Sequence, residues 1–273
     1  MRKIILAVLC SVVLLSQIGF CGYKTCEGET WQELSSFSTQ YKYSMPERKH
    51  NINLSASKLD GVVIKSGETL SFNKAVGKRT EENGYKIATV IENGVYTGGV
   101  GGGVCQTSTT LYNAVLRAGL KIVEVHQHTL SPEYVDASFD AMVSSEGSDL
   151  VIKNIYPYPV KISTVANGDT LLVKIYSTKK IKGLEILPYN AVLKIIAPPE
   201  TVTKLDTEFA GVSVPCGEMI SYRNSKIGKV SKGYIMYKYR GRVIRIKQIR
   251  SDLYIPMQGI NIMGTTESID LHS

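Results

Sequence analysis

The stretch that decides the reading runs Gly98-Gly99-Val100-Gly101-Gly102-Gly103-Val104-Cys105-Gln106-Thr107-Ser108-Thr109-Thr110-Leu111-Tyr112-Asn113-Ala114-Val115-Leu116-Arg117-Ala118-Gly119, then Lys121 to His128, and closes on Asp140. Leu111, Ala114, Val115 and Ala118 recur at helical spacing and Gly119 suits a left-handed stop, which predicts a helix beginning at about Cys105 or Gln106. Cys105 then stands at a helix N-terminus, where unpaired amides and the helix dipole favour a thiolate, and the preceding glycines let a substrate backbone approach. Lys121 to His128 alternates like a strand, with Val123 and Val125 on one face and Glu124, His126 and His128 on the other. A thiol, histidines and a following carboxylate are the parts of a nucleophilic site.

Working outward, 273 residues at 43% hydrophobic composition suffice for a real core and for two domains, and exclude a disordered chain. The net charge of +8 points to polyanionic surroundings: nucleic acid, anionic lipid or wall polymer. Met1-Arg2-Lys3 followed by the apolar run Ile4 to Leu15 has the layout of a secretory signal, with small residues at Gly19 and Cys21 for cleavage before Gly22. Export makes wall polymer or lipid headgroups better partners than nucleic acid. Retention as a short anchor and lipidation at Cys21 stay open, although Phe20 is bulky for the latter. Five cysteines (Cys10, Cys21, Cys26, Cys105 and Cys216) are too few for a disulfide scaffold, yet an exported Cys105 has Cys216 or Cys26 available as a disulfide partner.

Residues 1–22 are thus expected to be signal or anchor, and 23–47 a polar linker ending at Met45-Pro46. From Asn51 the pattern turns regular: a short helix to Lys58, a strand at Val62 to Lys65, a turn at Ser66-Gly67-Glu68, and a loop-rich Lys74 to Tyr85. Asn93-Gly94 signals a hairpin between Thr89 to Glu92 and Val95-Tyr96. Leu150 to Asn154, Val160 to Val165 and Leu171 to Tyr176 read as antiparallel strands beneath the helix. The fold class is α+β, mostly antiparallel β with few helices, in a first domain at about 48–178 and a smaller β-rich module at about 185–266.

Gly101-Gly102-Gly103-Val104-Cys105-Gln106-Thr107-Ser108-Thr109-Thr110-Leu111-Tyr112-Asn113-Ala114, with His126-x-His128 and Asp140-Ala141, closely resembles the VanW-like proteins, named for their presence in some glycopeptide-resistance gene clusters. The resemblance starts near Asn51-Ile52-Asn53-Leu54, includes Ser71-Phe72-Asn73 and Gly84-Tyr85, and runs to about Tyr176. Members usually carry a Gly-Arg pair just before the aspartate; this chain has Ser138-Phe139. Gly228, the hairpin around Arg240-Gly241-Arg242 and Tyr254-Ile255-Pro256 faintly resemble the glycine-marked wall module called the G-five domain.

Ten basic residues and no acidic one lie between Tyr222 and Arg250. In the hairpin Arg245 and Lys247 share a face opposite Ile244 and Ile246, so Arg240, Arg242, Arg245 and Lys247 form either a polymer-binding surface or a solvated face. His126 and His128 admit three readings: strand residues satisfied locally, a base for Cys105 oriented by Asp140 or Glu124, or a zinc pair completed by Cys105 or Asp140. The glycine run lacks the Gly-Lys-Ser/Thr ending of a phosphate loop and does not follow a dinucleotide fingerprint, so no nucleotide cofactor is expected.

The reading is an exported cell-envelope protein acting on or at peptidoglycan. In its enzymatic form Cys105 is the nucleophile, His126 or His128 the base, Asp140 the orienting carboxylate, Gly101, Gly102 and Gly103 the substrate cradle, and the amides of Gln106 and Thr107 the oxyanion donors. Its rivals are a non-catalytic module that binds a wall polymer, and a zinc-dependent wall peptidase.

Overall fold

In chain order the elements are β1 (Gln32–Gln40), α1 (Pro46–Ser57), β2 (Val63–Ile64), β3 (Thr69–Ser71), α2 (Phe72–Val76), β4 (Ile87–Glu92), β5 (Val95–Val100), α3 (Val104–Ala118), β6 (Lys121–Glu124), β7 (Val151–Lys153), β8 (Val160–Ala166), β9 (Thr170–Ser177), β10 (Leu184–Ile196), β11 (Val202–Leu205), β12 (Met219–Arg223), β13 (Gly228–Tyr239), β14 (Arg242–Tyr254) and β15 (Ile260–Met263). The computed structural model describes residues 30–92, 95–209 and 211–265, so the signal-segment reading and the Asn93-Gly94 turn lie outside the described residues. The class is mostly antiparallel β with few helices, as expected. From Trp31 onward the chain belongs to one compact unit.

The sheets are small: β1-β9-β8-β2, β3-β7-β6 and the β4-β5 ribbon surround α3, followed by β10-β13-β14 and β11-β15-β12. Among the described strands pairing is antiparallel except between β11 and β15. β1 falls in the stretch expected to be a linker, where it pairs with β9 from Gln32↔Ser177 to Gln40↔Thr170. Its run of small polar residues hid a strand whose neighbours, not its own apolar pattern, hold it. α1 begins at Pro46, earlier than expected, because a proline at the first helical position sacrifices no intrahelical bond. Phe72 to Val76 forms α2, with the Ser71 hydroxyl accepting from the Lys74 amide as its cap.

α3 runs through the middle of the core. Leu111, Ala114, Val115 and Ala118 are buried as their spacing predicts, but so is almost every other residue of the helix. Its polar side chains are satisfied one by one: Thr107 by Ser55 at 2.7 Å, Thr110 by Thr39 at 2.8 Å, and Gln106 by Thr39 and the Gln40 carbonyl at 2.9 Å each. Buried hydroxyls and amides are tolerable only under such pairing. Gly119 takes φ 76°, and its amide and that of Leu120 close the helix on Leu116 and Val115.

Candidate active site

Cys105 sits in the first turn of α3, half-buried, with its thiol 3.3 Å from the Val143 carbonyl. The loop before it turns on glycines at φ 86° (Gly101) and 105° (Gly103), values ordinary side chains avoid. A Cβ at Gly102 would lie 2.6 Å from the Thr89 carbonyl oxygen, so this residue must be glycine for the loop to lie on β4. The same helix then fixes the carboxylate. Ser108 donates to the Ala141 carbonyl at 2.6 Å, Thr109 accepts from the Ala141 amide at 2.9 Å, and Asn113 donates to the Phe139 carbonyl at 2.7 Å. Three bonds from one helix thus hold the backbone on both sides of Asp140.

β6 ends at Glu124, short of the expected His128, and the chain continues through an isolated bridge between His126 and Met142. The two histidines therefore part. His126 stays half-exposed and bonds Glu124 at 2.8 Å. His128 turns inward, its Nδ1 2.8 Å and its backbone amide 2.6 Å from Asp140 Oδ2. With Nδ1 on the aspartate, the ring of His128 lines the same cleft as Cys105, near enough for its charge to act on the thiol. Cys105, His128 and Asp140 meet; His126 is occupied elsewhere.

The charges agree with this order. Burial opposes ionisation of Cys105, but the bond and charge of His128 and the charge of Arg79 hold its pKa below the ordinary thiol value. Burial likewise opposes protonation of His128, yet its bonds to Asp140 and Cys105 raise it to about 9. Asp140, fully buried, is held low against burial by His128, Arg250 and Tyr254. The imidazolium and the thiolate thus favour each other, with the carboxylate behind them.

β14 supplies the back wall. Tyr254 donates to Asp140 Oδ1 at 2.5 Å, while Arg250 bonds the Asp140 carbonyl, lies 3.3 Å from its Oδ1 and is anchored 3.0 Å from Asp252. Ser138, in the left-handed region at φ 70°, is held there by the Tyr254 hydroxyl on its amide at 2.8 Å and by Ser231 on its hydroxyl at 2.6 Å. Arg250 belongs to the basic run read as surface, but its side chain is only 8% exposed and ion-paired. The nearby Asp252, two residues on and thus on the same strand face, was the signal for that pairing. Sequence reasoning also missed Arg48, Arg79 and Tyr134, which line the cleft beside Cys105. Burial and the neighbouring Cys105 charge raise the Tyr134 phenol, so it remains a proton donor.

The cleft holds about 410 Å³ and is walled by Gly101, Gly102, Gly103, Gln106 and His128 as well as Cys105. The Gln106 side chain points away, to Arg48 at 2.8 Å and to β1, and its amide is committed to the Gly103 carbonyl at 2.9 Å. Thr107 is buried against Ser55. The oxyanion role expected of the Gln106 amide is therefore filled by an intrachain bond. Cys105 and Cys216 are free thiols. Among the described residues no three His, Cys, Asp or Glu side chains converge as a metal ion requires. The basic hairpin forms as expected, with Arg240 at φ 49° and Gly241 at φ 78° in its turn, and Arg242, Arg245 and Lys247 exposed on β14.

Residues 47–176 match the family described as VanW like protein. The chain is 44% identical over 152 residues to the uncharacterized protein YoaR of Bacillus subtilis, covering 56% of this chain and 50% of that one. It is 28% identical over 163 residues to the vancomycin B-type resistance protein VanW of Enterococcus faecalis, covering 57% of this chain and 59% of the other. The chain thus spans between half and three-fifths of the length of these curated relatives. Among solved structures, the G5 domain of IgA1 protease aligns over 31% of this chain and 94% of its own length, at 14% identity and a TM-score of 0.19. HP0197-G5 aligns over 30% and 97%, at 16% identity and a TM-score of 0.16. Cys105, His128 and Asp140 all fall inside the span, residues 47–176, that matches the family described as VanW like protein.

Proposed function

We propose that this is a cell-envelope protein whose Cys105 performs acyl transfer or amide cleavage on wall peptides. The observation that carries it is that Cys105 and His128 line one cleft while His128 is bonded to the buried Asp140. The likeness to a vancomycin-resistance protein supports the envelope as the setting. The Cys105 thiolate attacks a substrate carbonyl carbon, forming the C–S bond and an oxyanion. That oxyanion faces the first-turn amide of Cys105 itself, for which the helix supplies no acceptor. As the C–N bond breaks, the imidazolium of His128 gives its proton to the leaving amine, and a thioester remains. Water or an amine then attacks the thioester while neutral His128 takes the incoming proton, and the thiolate leaves. Asp140 keeps the ring in the tautomer this requires and stabilises its charge.

The test is turnover of isolated wall peptides followed by mass spectrometry, with trapping of a thioester on Cys105. Cys105→Ala should abolish product while leaving the circular dichroism spectrum unchanged. Product formed by Cys105→Ala would defeat the reading and leave the binding module in its place. A second role is favoured by the exposure of Arg242, Arg245 and Lys247 around the Arg240 turn, which suits contact with an anionic polymer. Retention on isolated walls should fall with added salt and with Gln at all four positions; retention that ignores both would reduce the hairpin to a solvated face.

A further inference from the structure

We infer that the cleft beside Cys105 takes a substrate bearing a carboxylate close to the carbonyl under attack, gripped by Arg79 and Arg48; this deepens the thiol reading and rests on it. Arg79 is 8% exposed, its Nη2 is buried without a hydrogen-bond partner, and its Nη1 has only a 3.5 Å contact with the Gly77 carbonyl. A buried guanidinium with an idle fork is costly and calls for an anion. Of the anions whose charge it feels, Cys105 is the reacting group itself, and Asp149 is already engaged by Ser71 and by the amides of Asn73 and Leu150. Arg48 bonds only neutral oxygens, Ser44 at 2.7 Å and Gln106 at 2.8 Å. Glu133 is the acid on the cleft wall, and it is paired with Lys226 at 3.1 Å.

The glycine loop gives these arginines their place. A Cβ at Gly101 would lie 2.8 Å from Arg79 Cβ and 2.9 Å from its Cγ, and one at Gly103 would lie 2.9 Å from Arg48 Cγ. The stems of both arginines therefore pack into the space left by missing side chains in the loop that leads to Cys105. Each guanidinium is thereby fixed relative to the thiol. A planar fork matches the two oxygens of a carboxylate, which a lysine would meet only as a point charge. The class of substrate is a peptide with a free terminal or side-chain carboxylate adjoining the scissile amide.

Two alkylating reagents of nearly equal size test this on the full chain: iodoacetate, a carboxylate, and neutral iodoacetamide, with modification read at Cys105 by peptide mapping. Thiolate reactivity cancels in the ratio of their rates, so changes in the Cys105 pKa do not enter it. The ratio should exceed that of a free cysteine peptide by about tenfold, as a cationic cleft concentrates an anion. The iodoacetate rate should saturate and be slowed by acetate. Arg79→Met and Arg48→Met should each bring the ratio toward the free-peptide value, and Arg79→Lys should restore part of it. A wild-type ratio equal to that of the free peptide, or one unmoved by either methionine, overturns the inference. Should a variant fail to fold, the wild-type ratio and its saturation decide alone. If iodoacetamide still modifies Cys105 at mildly acidic pH while the ratio is ordinary, the thiol reading stands and the carboxylate site falls; if neither reagent does, both fall.

Discussion

α3 and the sheet β10-β13-β14 invert the usual relation between polarity and burial. In α3 the run Gln106-Thr107-Ser108-Thr109-Thr110 is buried, each polar side chain bonded to a residue outside the helix. On β14 and β10, Ile244 is 61% and Ile195 63% exposed. The difference shows where structural specificity is concentrated. Directional bonds around α3 admit one arrangement, and that arrangement carries the thiol, imidazole and carboxylate. The outer part of that sheet is held by its backbone ladder, and side chains such as Ile195, Ile244 and Ile246 serve as surface. The two regions join along the inner side of that sheet, where Ile235, Ile186, Tyr237 and Ile249 pack on the core and Arg250 and Tyr254 of β14 reach Asp140.

That junction should yield the largest effect. Arg250→Met removes a buried, ion-paired guanidinium and should lower unfolding free energy by about 3 kcal/mol, read by urea denaturation. A loss no greater than that of a surface substitution would separate the two regions after all. Next, Asn113→Ala leaves the Phe139 carbonyl without its partner and should cost about 1–3 kcal/mol. Its thermal midpoint should fall accordingly. Gly102→Ala should cost about as much, 1–3 kcal/mol, since its Cβ would meet β4 backbone. The smallest effect belongs to the outer sheet: Ile244→Thr with Ile246→Thr should change stability by less than about 0.5 kcal/mol per site. A large change there would mean that this face is covered by something.

Much of this was legible from residues close in sequence. The helix, its glycine stop and the thiol in its first turn follow from spacing, and a thiol, histidines and a carboxylate close together in sequence suggested the grouping with a histidine and Asp140. The choice of histidine was not legible. Alternation put Glu124, His126 and His128 on one face, but β6 ends at Glu124, and only where the chain turns does His128 face Asp140. Arg250 was counted into a charged surface because a charge run does not reveal which member finds a carboxylate 110 residues away. Arg79 and Arg48 were invisible for the same reason, since their place is set by glycines that lie beyond β4 in the chain. β1 was missed because its polar side chains hide a strand that β9 holds in register.

The pH dependence of the reaction follows from the same pair. Thiolate is present above the depressed pKa of Cys105, and imidazolium is lost as pH rises through about 9. Acyl transfer should therefore be bell-shaped, with its alkaline limb belonging to His128. The most direct test of the central claim is the pH profile of iodoacetamide modification at Cys105, resolved from Cys216 by peptide mapping, in the wild type and in His128→Gln. The account predicts a wild-type midpoint well below about 8.5 and a rise toward that value on losing the imidazolium. A Cys105 that reacts only at alkaline pH, with the same profile in both proteins, would contradict it.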